Sequence, residues 1–292
     1  MTFQRGSSSQ ALVTQTGRLK TRHLKVQQQP TIDEKRAVKV TRLVDWEDLL
    51  NIFSHIVGAL IFLALPLYVF GTEVPPRYKI ATTTDIVVCS IYFLGVGICF
   101  TFSTIFHTFM CHSEAVYELG VKLDYQGILL LMWGANVPLI YYSIPCDSNG
   151  QMTYWTLNTI LAAACSIATF HPLIGGPHLG HVRAVLFATF GFCSVIAPNL
   201  IGVMRYGFEE QSQRVGLAWI GVTALCNGTG VVAYGLKFPE RWYPRVFDLF
   251  GASHQVMHIM VVFAALTYTK AMLQAFDFHH QHTTSCMRQI HT

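Results

Sequence analysis

The feature that most constrains this chain is a set of seven long segments that contain no charged residue. Each segment has 19 to 22 residues, and about 20 residues of α-helix span the hydrocarbon core of a bilayer. The segments are 51–70, 86–106, 125–144, 152–170, 184–204, 215–236 and 249–269. Because backbone polar groups in lipid must be paired inside the chain, the pattern predicts seven transmembrane helices.

The composition also indicates a membrane protein. Hydrophobic residues make up 52% of the 292 residues and charged residues only 12%, whereas soluble domains average about 25% charged residues. The breaks between segments, such as G-T-E-V-P-P-R-Y-K and C-D-S-N-G, are polar or rich in Pro and Gly, which favours turns. The sequence therefore predicts an all-α, polytopic membrane protein. A soluble protein with seven buried helices is the disfavoured alternative, and we expect no nucleic-acid partner.

The distribution of Lys and Arg predicts the orientation, because the cytosolic loops of membrane proteins carry an excess of these residues. With a cytosolic N-terminus, 14 of the 20 Lys and Arg residues lie on the cytosolic side and 6 lie outside. Leaving out the distant N-terminal tail reduces the ratio to 9 against 6. We therefore predict a cytosolic N-terminus and a C-terminus that is extracellular or lumenal.

Three regions follow from this topology. Residues 1–41 are expected to form a disordered cytosolic tail, since the first 32 residues contain no acid and several Ser and Gln. A mitochondrial transit peptide is the alternative for this tail. Residues 42–270 are expected to form the seven-helix domain, and T-R-L-V-D-W-E-D-L-L-N at its start predicts an amphipathic helix at the inner membrane surface. Residues 271–292 would be a short outer tail, and the membrane would be the plasma membrane or the endoplasmic reticulum.

Polar residues from three of the predicted helices fall at one membrane depth. His254 and His258 are four residues apart in the last segment, which places them on one face of a helix. At 1.5 Å per residue, His254 lies about 7.5 Å into that helix from its cytosolic end. The second helix ends on the same side with Ser103 and His107, and the third helix begins there with Asp124. Three imidazoles, one carboxylate and one hydroxyl are therefore expected to converge.

This combination of groups is typical of a catalytic zinc site. Three nitrogen ligands suit tetrahedral zinc, and a fourth position left to water distinguishes catalytic sites from structural ones. We predict His107, His254 and His258 as the zinc ligands, with Asp124 and Ser103 orienting the rings or accepting from the bound water. The alternative is that these side chains only form hydrogen bonds between neighbouring helices.

The remaining polar residues in and beside the segments are expected to play smaller parts. Asn51 and His55 in the first segment are interpreted as packing groups or as supports for the zinc ligands. His279, His280 and His282 follow the last segment, where they could bind stray metal outside the cell. We expect no function for these three histidines.

Several stretches of the sequence resemble one known family. S-T-I-F-H-T-F-M-C-H-S, K-L-D-Y-Q-G-I, K-F-P-E-R-W-Y-P-R-V-F-D and S-H-Q-V-M-H are similar to the adiponectin receptor branch of the progestin and adipoQ receptor family, which is related to hemolysin III. D-W-E-D-L-L-N-I-F-S-H in the first helix is similar too. The resemblance covers roughly residues 42–270, and the joint pattern Ser-x3-His, Asp, His-x3-His is specific.

This resemblance implies seven helices with a cytosolic N-terminus, zinc on His107, His254 and His258, and Asp124 near the zinc-bound water. The same pattern is similar to membrane hydrolases that include the alkaline ceramidases, and fungal members of the family are linked to zinc and lipid homeostasis. We therefore expect a zinc-dependent hydrolase of ceramide that produces a sphingoid base and a fatty acid. Asp124 would orient the water or carry its proton, and Ser103 would donate to the oxyanion.

Two other classes of function stay open at this stage. In a receptor, zinc would be structural and would hold the second and seventh helices, while an extracellular protein ligand would bind the outer loops. In a protein of zinc homeostasis, the chain would sense or regulate the metal. A transporter is disfavoured, because charged residues along a pathway are expected and the seven segments contain none.

Overall fold

The structure is a computed structural model that describes residues 46–71, 76–171, 174–175, 179–243, 246–247 and 250–282. The predicted tail of residues 1–41 lies outside the described residues. The same holds for the last ten residues of the predicted outer tail.

The described residues form eight α-helices and one short 3-10 helix. The helices are α1 (Trp46–Gly71), α2 (Thr83–Phe109), α3 (Glu114–Ser143), α4 (Ser148–Phe170), α5 (Gly180–Tyr206), α6 (Phe208–Val215), α7 (Leu217–Leu236) and α8 (Ser253–Gln281), and the 3-10 helix is Pro76–Lys79. All except α6, which has 8 residues, are long, and each long helix overlaps one uncharged segment. Five of them, α1, α2, α5, α7 and α8, are long and apolar enough to cross a membrane by length and composition. The chain is an integral membrane protein, and the prediction of an all-α polytopic fold is confirmed.

Local signals explain where several helices begin. Thr82 and Asp85 form a capping box at the start of α2, in which each side chain accepts a hydrogen bond from the other residue's backbone N–H. Ser113 caps α3 and Asp147 caps α4 by accepting from backbone N–H groups of the first turn. These oxygens satisfy donors that the helix itself leaves unpaired. Between α6 and α7, Gly216 has φ +66°, which is a left-handed conformation that glycine adopts without strain.

Small residues allow α2 and α3 to pack closely. A Cβ atom added at Gly127 would lie 2.9 Å from the Cα atom of Cys99, and one at Gly95 would lie 2.8 Å from a backbone oxygen of α3. Such contacts between small residues let the backbones of membrane helices approach each other. Ser103 follows Cys99 by one turn, and Asp124 precedes Gly127 by about one turn. The close contact therefore brings Ser103 and Asp124 to the same level of the bundle.

The last helix is longer than the uncharged segment in it. α8 continues to Gln281, although residues from 271 onwards were predicted to form the outer tail. Two long-range contacts hold this extension. Arg77 donates to both carboxylate oxygens of Asp277 at 3.0 and 2.5 Å, and His280 Nε2 lies 3.0 Å from Asp85 Oδ2. Asp277 and His280 thus belong to the helix because they have partners elsewhere in the bundle.

The hydrophobic core lies between α1, α2, α3 and α8. It contains many aromatic rings, and Phe62, Tyr92, Phe93, Phe100 and Phe276 are almost completely buried. By contrast, α7 packs along α8 and touches α6, and in the described residues its backbone contacts neither α3 nor α5. One side of α7 is therefore left open towards the surrounding lipid.

The bundle has two ends, which differ in their polar groups. We call the end with His107 and the start of α8 the histidine end, and the end with the start of α2 and the last turns of α8 the Asp85 end. Cys146, in the short connection after α3, lies at the Asp85 end and is disulfide-bonded. Cys286 lies outside the described residues.

Candidate metal site

Three histidines meet at the histidine end of the bundle. His107 comes from the last turns of α2, and His254 and His258 come from the first two turns of α8. One ligand atom from each residue lies within 4.8 Å of those of the other two. The ring centroids are 5.1 Å apart for His107 and His254, and 4.8 Å apart for the other two pairs. The structure thus brings together the three side chains that the sequence predicted as ligands.

The unpaired atoms of these rings fit a metal ion. His107 Nε2 and His258 Nδ1 are buried and have no hydrogen-bond partner, which is costly for a polar atom unless something binds it. Nitrogen ligands at the usual zinc distance of about 2.0–2.1 Å lie roughly 3.4 Å apart in a tetrahedron. In the structure the three ligand atoms lie within 4.8 Å of one another, so shifts of about 1 Å would give this spacing. The donor set of three imidazoles suits zinc among the common divalent ions.

The start of α8 is held in place by hydrogen bonds with the loop that joins α7 to α8. Glu240, in the loop after α7, accepts from the backbone N–H of Ser253 at 2.9 Å and also from its hydroxyl. Partial burial acts to raise the pKa of Glu240, but the hydrogen bonds from Ser253 outweigh this effect, so the pKa lies below its usual value. Gln255 accepts from Gly251 N–H at 2.7 Å. Because these contacts fix the first turn of α8, they also fix the position of His254.

The two predicted non-ligand residues lie beside the histidines. Ser103 is 2% exposed, and its hydroxyl bonds the carboxylate of Asp124, which also interacts electrostatically with His107. Asp124 is therefore close enough to the ligand set to influence a water molecule bound there. The close packing of α2 on α3 explains this placement. The structure brings all five predicted residues to one place.

The first helix contributes three polar groups, of which the sequence interpretation missed Asp48 and assigned Asn51 and His55 to packing or to support of the ligands. Asp48 Oδ1 lies 3.0 Å from His107 Nδ1, although residue 48 was interpreted as part of a surface helix. Asn51 donates to the same oxygen at 3.4 Å. His55 stacks on His258 with ring centroids 4.0 Å apart. The spacing of 48, 51 and 55 puts these polar residues on one helix face, and this periodicity was the available signal for Asp48.

A tyrosine lies between the histidine end and the open side of α7. Tyr234 has its ring centroid 5.1 Å from that of His254 and is 48% exposed. It also interacts electrostatically with Tyr117, Tyr125 and Asp124. Tyr234 therefore contacts the site on one side and is exposed at the surface of the bundle on the other.

Comparison with known proteins identifies related sequences. The model of a family described as "Haemolysin-III related" matches residues 46–269. The "Adiponectin receptor protein" of Drosophila melanogaster is 35% identical over 218 residues, which are 75% of this chain and 48% of that protein. The "ADIPOR-like receptor IZH2" of Saccharomyces cerevisiae is 33% identical over 233 residues, which are 79% of this chain and 72% of that protein.

A plant relative has a name that describes its architecture. "Heptahelical transmembrane protein 5" of Arabidopsis thaliana is 37% identical over 183 residues, which are 62% of this chain and 48% of that protein. The chain thus spans about half of the length of the fly and Arabidopsis proteins. The residues matched by the family model, 46–269, fall within the range of the seven long helices.

Proposed function

Because the chain belongs to the haemolysin-III-related family, as an adiponectin-receptor-like membrane protein, we propose that it is a zinc-dependent hydrolase of lipid amides such as ceramide. The observation that supports this most is the set of three converging imidazoles with Asp124 beside them. Three protein ligands leave zinc one ligand short of a closed structural site. The fourth position is then available for chemistry, and the group next to it is a carboxylate.

His107, His254 and His258 would hold the zinc, which supplies a Lewis acid and an activated water molecule at neutral pH. Asp124 takes a proton from the attacking water, whose oxygen forms the new bond to the amide carbon. The bond from carbon to nitrogen then breaks as Asp124 returns the proton to the leaving amine. Ser103 first donates a hydrogen bond from its hydroxyl to the Asp124 carboxylate and orients it. Once Asp124 has taken the proton, the acid can donate to the Ser103 oxygen, and the Ser103 hydroxyl is free to donate to the oxyanion. The products are a fatty acid and a sphingoid base.

The position of the site supports a lipid substrate. His254 and His258 lie in the first two turns of α8, and His107 lies in the last turns of α2. The site would therefore lie near the end of two membrane-spanning helices, at about the depth of the lipid headgroups and the first carbons of the acyl chains. The open side of α7 and the half-exposed Tyr234 connect this depth to the lipid. A substrate with its amide just below the headgroup, as in a sphingolipid, would reach Asp124 without leaving the bilayer.

The orientation of the bundle is part of the same proposal. We infer that the histidine end faces the cytosol and the Asp85 end faces the extracellular space or an organelle lumen. The disulfide-bonded Cys146 at the Asp85 end supports this, because disulfides persist in oxidising compartments. The excess of Lys and Arg on the other side agrees. Protease sites placed before Met1 and after Thr292 should then be cut from opposite sides of the membrane.

The hydrolase is tested with purified, zinc-loaded protein and a set of ceramides, with fatty acid release measured by mass spectrometry. Asp124→Asn keeps the volume of the side chain but removes its charge, so it should retain one zinc per chain and lose about 10² to 10⁴ of the turnover rate. His107→Ala should lose both the zinc and the activity. Asp277→Asn, at the opposite end of the bundle, is the matched control and should keep both. A zinc-loaded wild-type protein that releases no fatty acid from any lipid amide would refute the hydrolase.

The second candidate is a receptor in which zinc is structural. The names of the fly and yeast relatives favour it, since both are called receptors. In this case an extracellular ligand would bind at the Asp85 end, and zinc would join α2 to α8. Asp124→Asn would then change the melting temperature slightly, and wild-type protein would release no more fatty acid than a metal-stripped sample.

A further inference from the structure

The contact between Asp48 and His107 determines which nitrogen of His107 carries the proton. A carboxylate only accepts hydrogen bonds, so His107 Nδ1, 3.0 Å from Asp48 Oδ1, must be the donor. In the neutral ring, which is the form that binds a metal ion, Nε2 is then the unprotonated nitrogen. This is also the atom without a partner, and it lies on the side of His254 and His258. The carboxylate thus directs the lone pair of His107 towards the other two rings.

Helix α1, which carries Asp48, also contacts His258, in this case through a backbone carbonyl. The ring of His258 interacts with the backbone carbonyl of Asn51, and its Nδ1 has no partner. Because a carbonyl accepts and does not donate, the nitrogen that faces Asn51 is the protonated Nε2. Helix α1 thus contacts two of the three imidazoles, His107 through Asp48 and His258 through the stacked ring of His55 as well as Asn51.

We propose that Asp48 is a positioning residue of the metal site, and that α1 is the third helix on which metal binding depends. This inference rests on the proposed metal site but not on the hydrolase. Asp48 is well placed for this role, since its side chain is 13% exposed and that of His107 is 1% exposed. Water therefore cannot easily replace the carboxylate as the acceptor. Asn51 donates to Asp48 at 3.4 Å and helps to hold it in position.

The experiment measures metal affinity rather than turnover. Zinc affinity of the purified full chain is measured by competition with a chelator for wild type, Asp48→Asn and Asp85→Asn. Losing a carboxylate behind a ligating histidine typically lowers metal affinity by about 10- to 100-fold, so Asp48→Asn should show this loss. Asp85→Asn is the matched control, because Asp85 also pairs with a histidine at 3.0 Å, at the other end of the bundle. It should keep the wild-type affinity.

Two further measurements separate positioning from a general loss of structure. Asp48→Glu keeps the charge and should recover part of the affinity that Asp48→Asn loses. Cobalt(II) in place of zinc should give a changed visible spectrum in Asp48→Asn, because the orientation of one ligand changes, whereas Asp85→Asn should give the wild-type spectrum. A variant that is only less stable would melt earlier but keep the spectrum.

The outcomes decide between the proposals. Equal zinc affinities and spectra for wild type and Asp48→Asn would overturn the role of Asp48. Equal losses in Asp48→Asn and Asp85→Asn would overturn it too, because the effect would then be one of stability. A wild-type chain that binds neither zinc nor cobalt(II) would refute the ligand set and this inference together. A chain that binds zinc but hydrolyses nothing would refute only the hydrolase.

Discussion

The two ends of the bundle each contain a buried pair of aspartate and histidine, and the pairs differ in what surrounds them. Asp48 with His107 and Asp85 with His280 both have an oxygen and a nitrogen 3.0 Å apart. Asp85 is completely buried, and it also accepts from the Tyr142 hydroxyl at 2.8 Å and from the backbone and hydroxyl of Thr82. With His280, the carboxylate thus has four hydrogen-bond partner atoms around its two oxygens.

At the histidine end several buried ring nitrogens have no hydrogen-bond partner. The far nitrogen of His107 has no partner, and neither has His258 Nδ1. Buried polar groups in folded proteins are almost always paired, so a cluster of unpaired nitrogens indicates a bound group. The comparison shows that an aspartate and a histidine in contact do not define a function. The Asp85–His280 pair belongs to a hydrogen-bond network that supports the fold. The Asp48–His107 pair leaves His107 Nε2 without a partner, in a group of histidines that is able to hold a metal ion.

The largest expected effect is the loss of zinc when a histidine of the histidine end is replaced, but not when a histidine of the Asp85 end is replaced. His258→Ala should lose most of the one zinc expected per chain, since it removes a ligand whose nitrogen has no other partner. His280→Ala should keep the zinc, because this histidine is already paired with Asp85. Elemental analysis of the purified proteins measures this directly. Zinc that is undiminished in His258→Ala, or lost in His280→Ala, would contradict the assignment of the two ends.

Removal of the metal should lower the thermal stability of the wild-type protein, because a metal ion bound at the histidine end stabilises the folded state. A ligand present at about 1,000 times its dissociation constant stabilises the folded state by about 4 kcal/mol, so a strong chelator should lower the melting temperature of the wild-type protein in detergent. His258→Ala should melt at the same temperature with and without the chelator. An equal shift in both proteins would show that the chelator acts elsewhere.

A smaller loss of stability is expected from a change at the Asp85 end. Asp85→Asn replaces a charged acceptor by a neutral amide, and hydrogen bonds to charged groups contribute about 1.5–3 kcal/mol each. The unfolding free energy should fall by about this amount, as measured by thermal or denaturant unfolding. Zinc content should stay at the wild-type level. Tyr142→Phe removes only one of the donors to Asp85 and should show a smaller loss.

The polar groups of the histidine end could be predicted from the sequence better than those of the Asp85 end, because more of them follow local patterns. Uncharged segments and the spacing of His254 and His258 are local patterns, so they predict helices and a shared helix face. Asp48 lies 59 residues from its partner His107, and Asp85 lies 195 residues from His280. Contacts of this kind depend on how the helices pack, which no local pattern contains.

The length of α8 and the short helix α6 show the same limit. Charged residues after position 269 suggested the end of the last helix, because an unpaired charge in lipid is costly. Asp277 remains in the helix since Arg77, 200 residues away in the chain, neutralises it. Helix α6 is polar and has only 8 residues. It therefore carried no hydropathy signal.

The smallest expected effects come from alanine at two glycines of α3, where only the packing against α2 changes. Gly127 and Gly134 both face α2, and a Cβ atom would lie 2.9 Å from Cys99 Cα in the first case and 3.0 Å from the Ile91 carbonyl oxygen in the second. Alanine at either position should cost about 1–3 kcal/mol, because the helices must move apart. Gly221→Ala meets nothing within 4 Å and should leave the melting temperature nearly unchanged.

Gly127 lies about one turn from Asp124, whereas Gly134 lies about 10 Å further along α3, towards the Asp85 end. Gly127→Ala should therefore also lower lipid hydrolysis, since it displaces Asp124 and Ser103 from the histidines while the zinc ligands on α2 and α8 still meet. Gly134→Ala should lose similar stability but keep more of the turnover. Melting curves and fatty acid release, measured on the same zinc-loaded preparations, give both quantities. If the two alanine variants lost turnover equally, loosening of the whole bundle would explain the result, and the placement of Asp124 by this one close contact would be wrong.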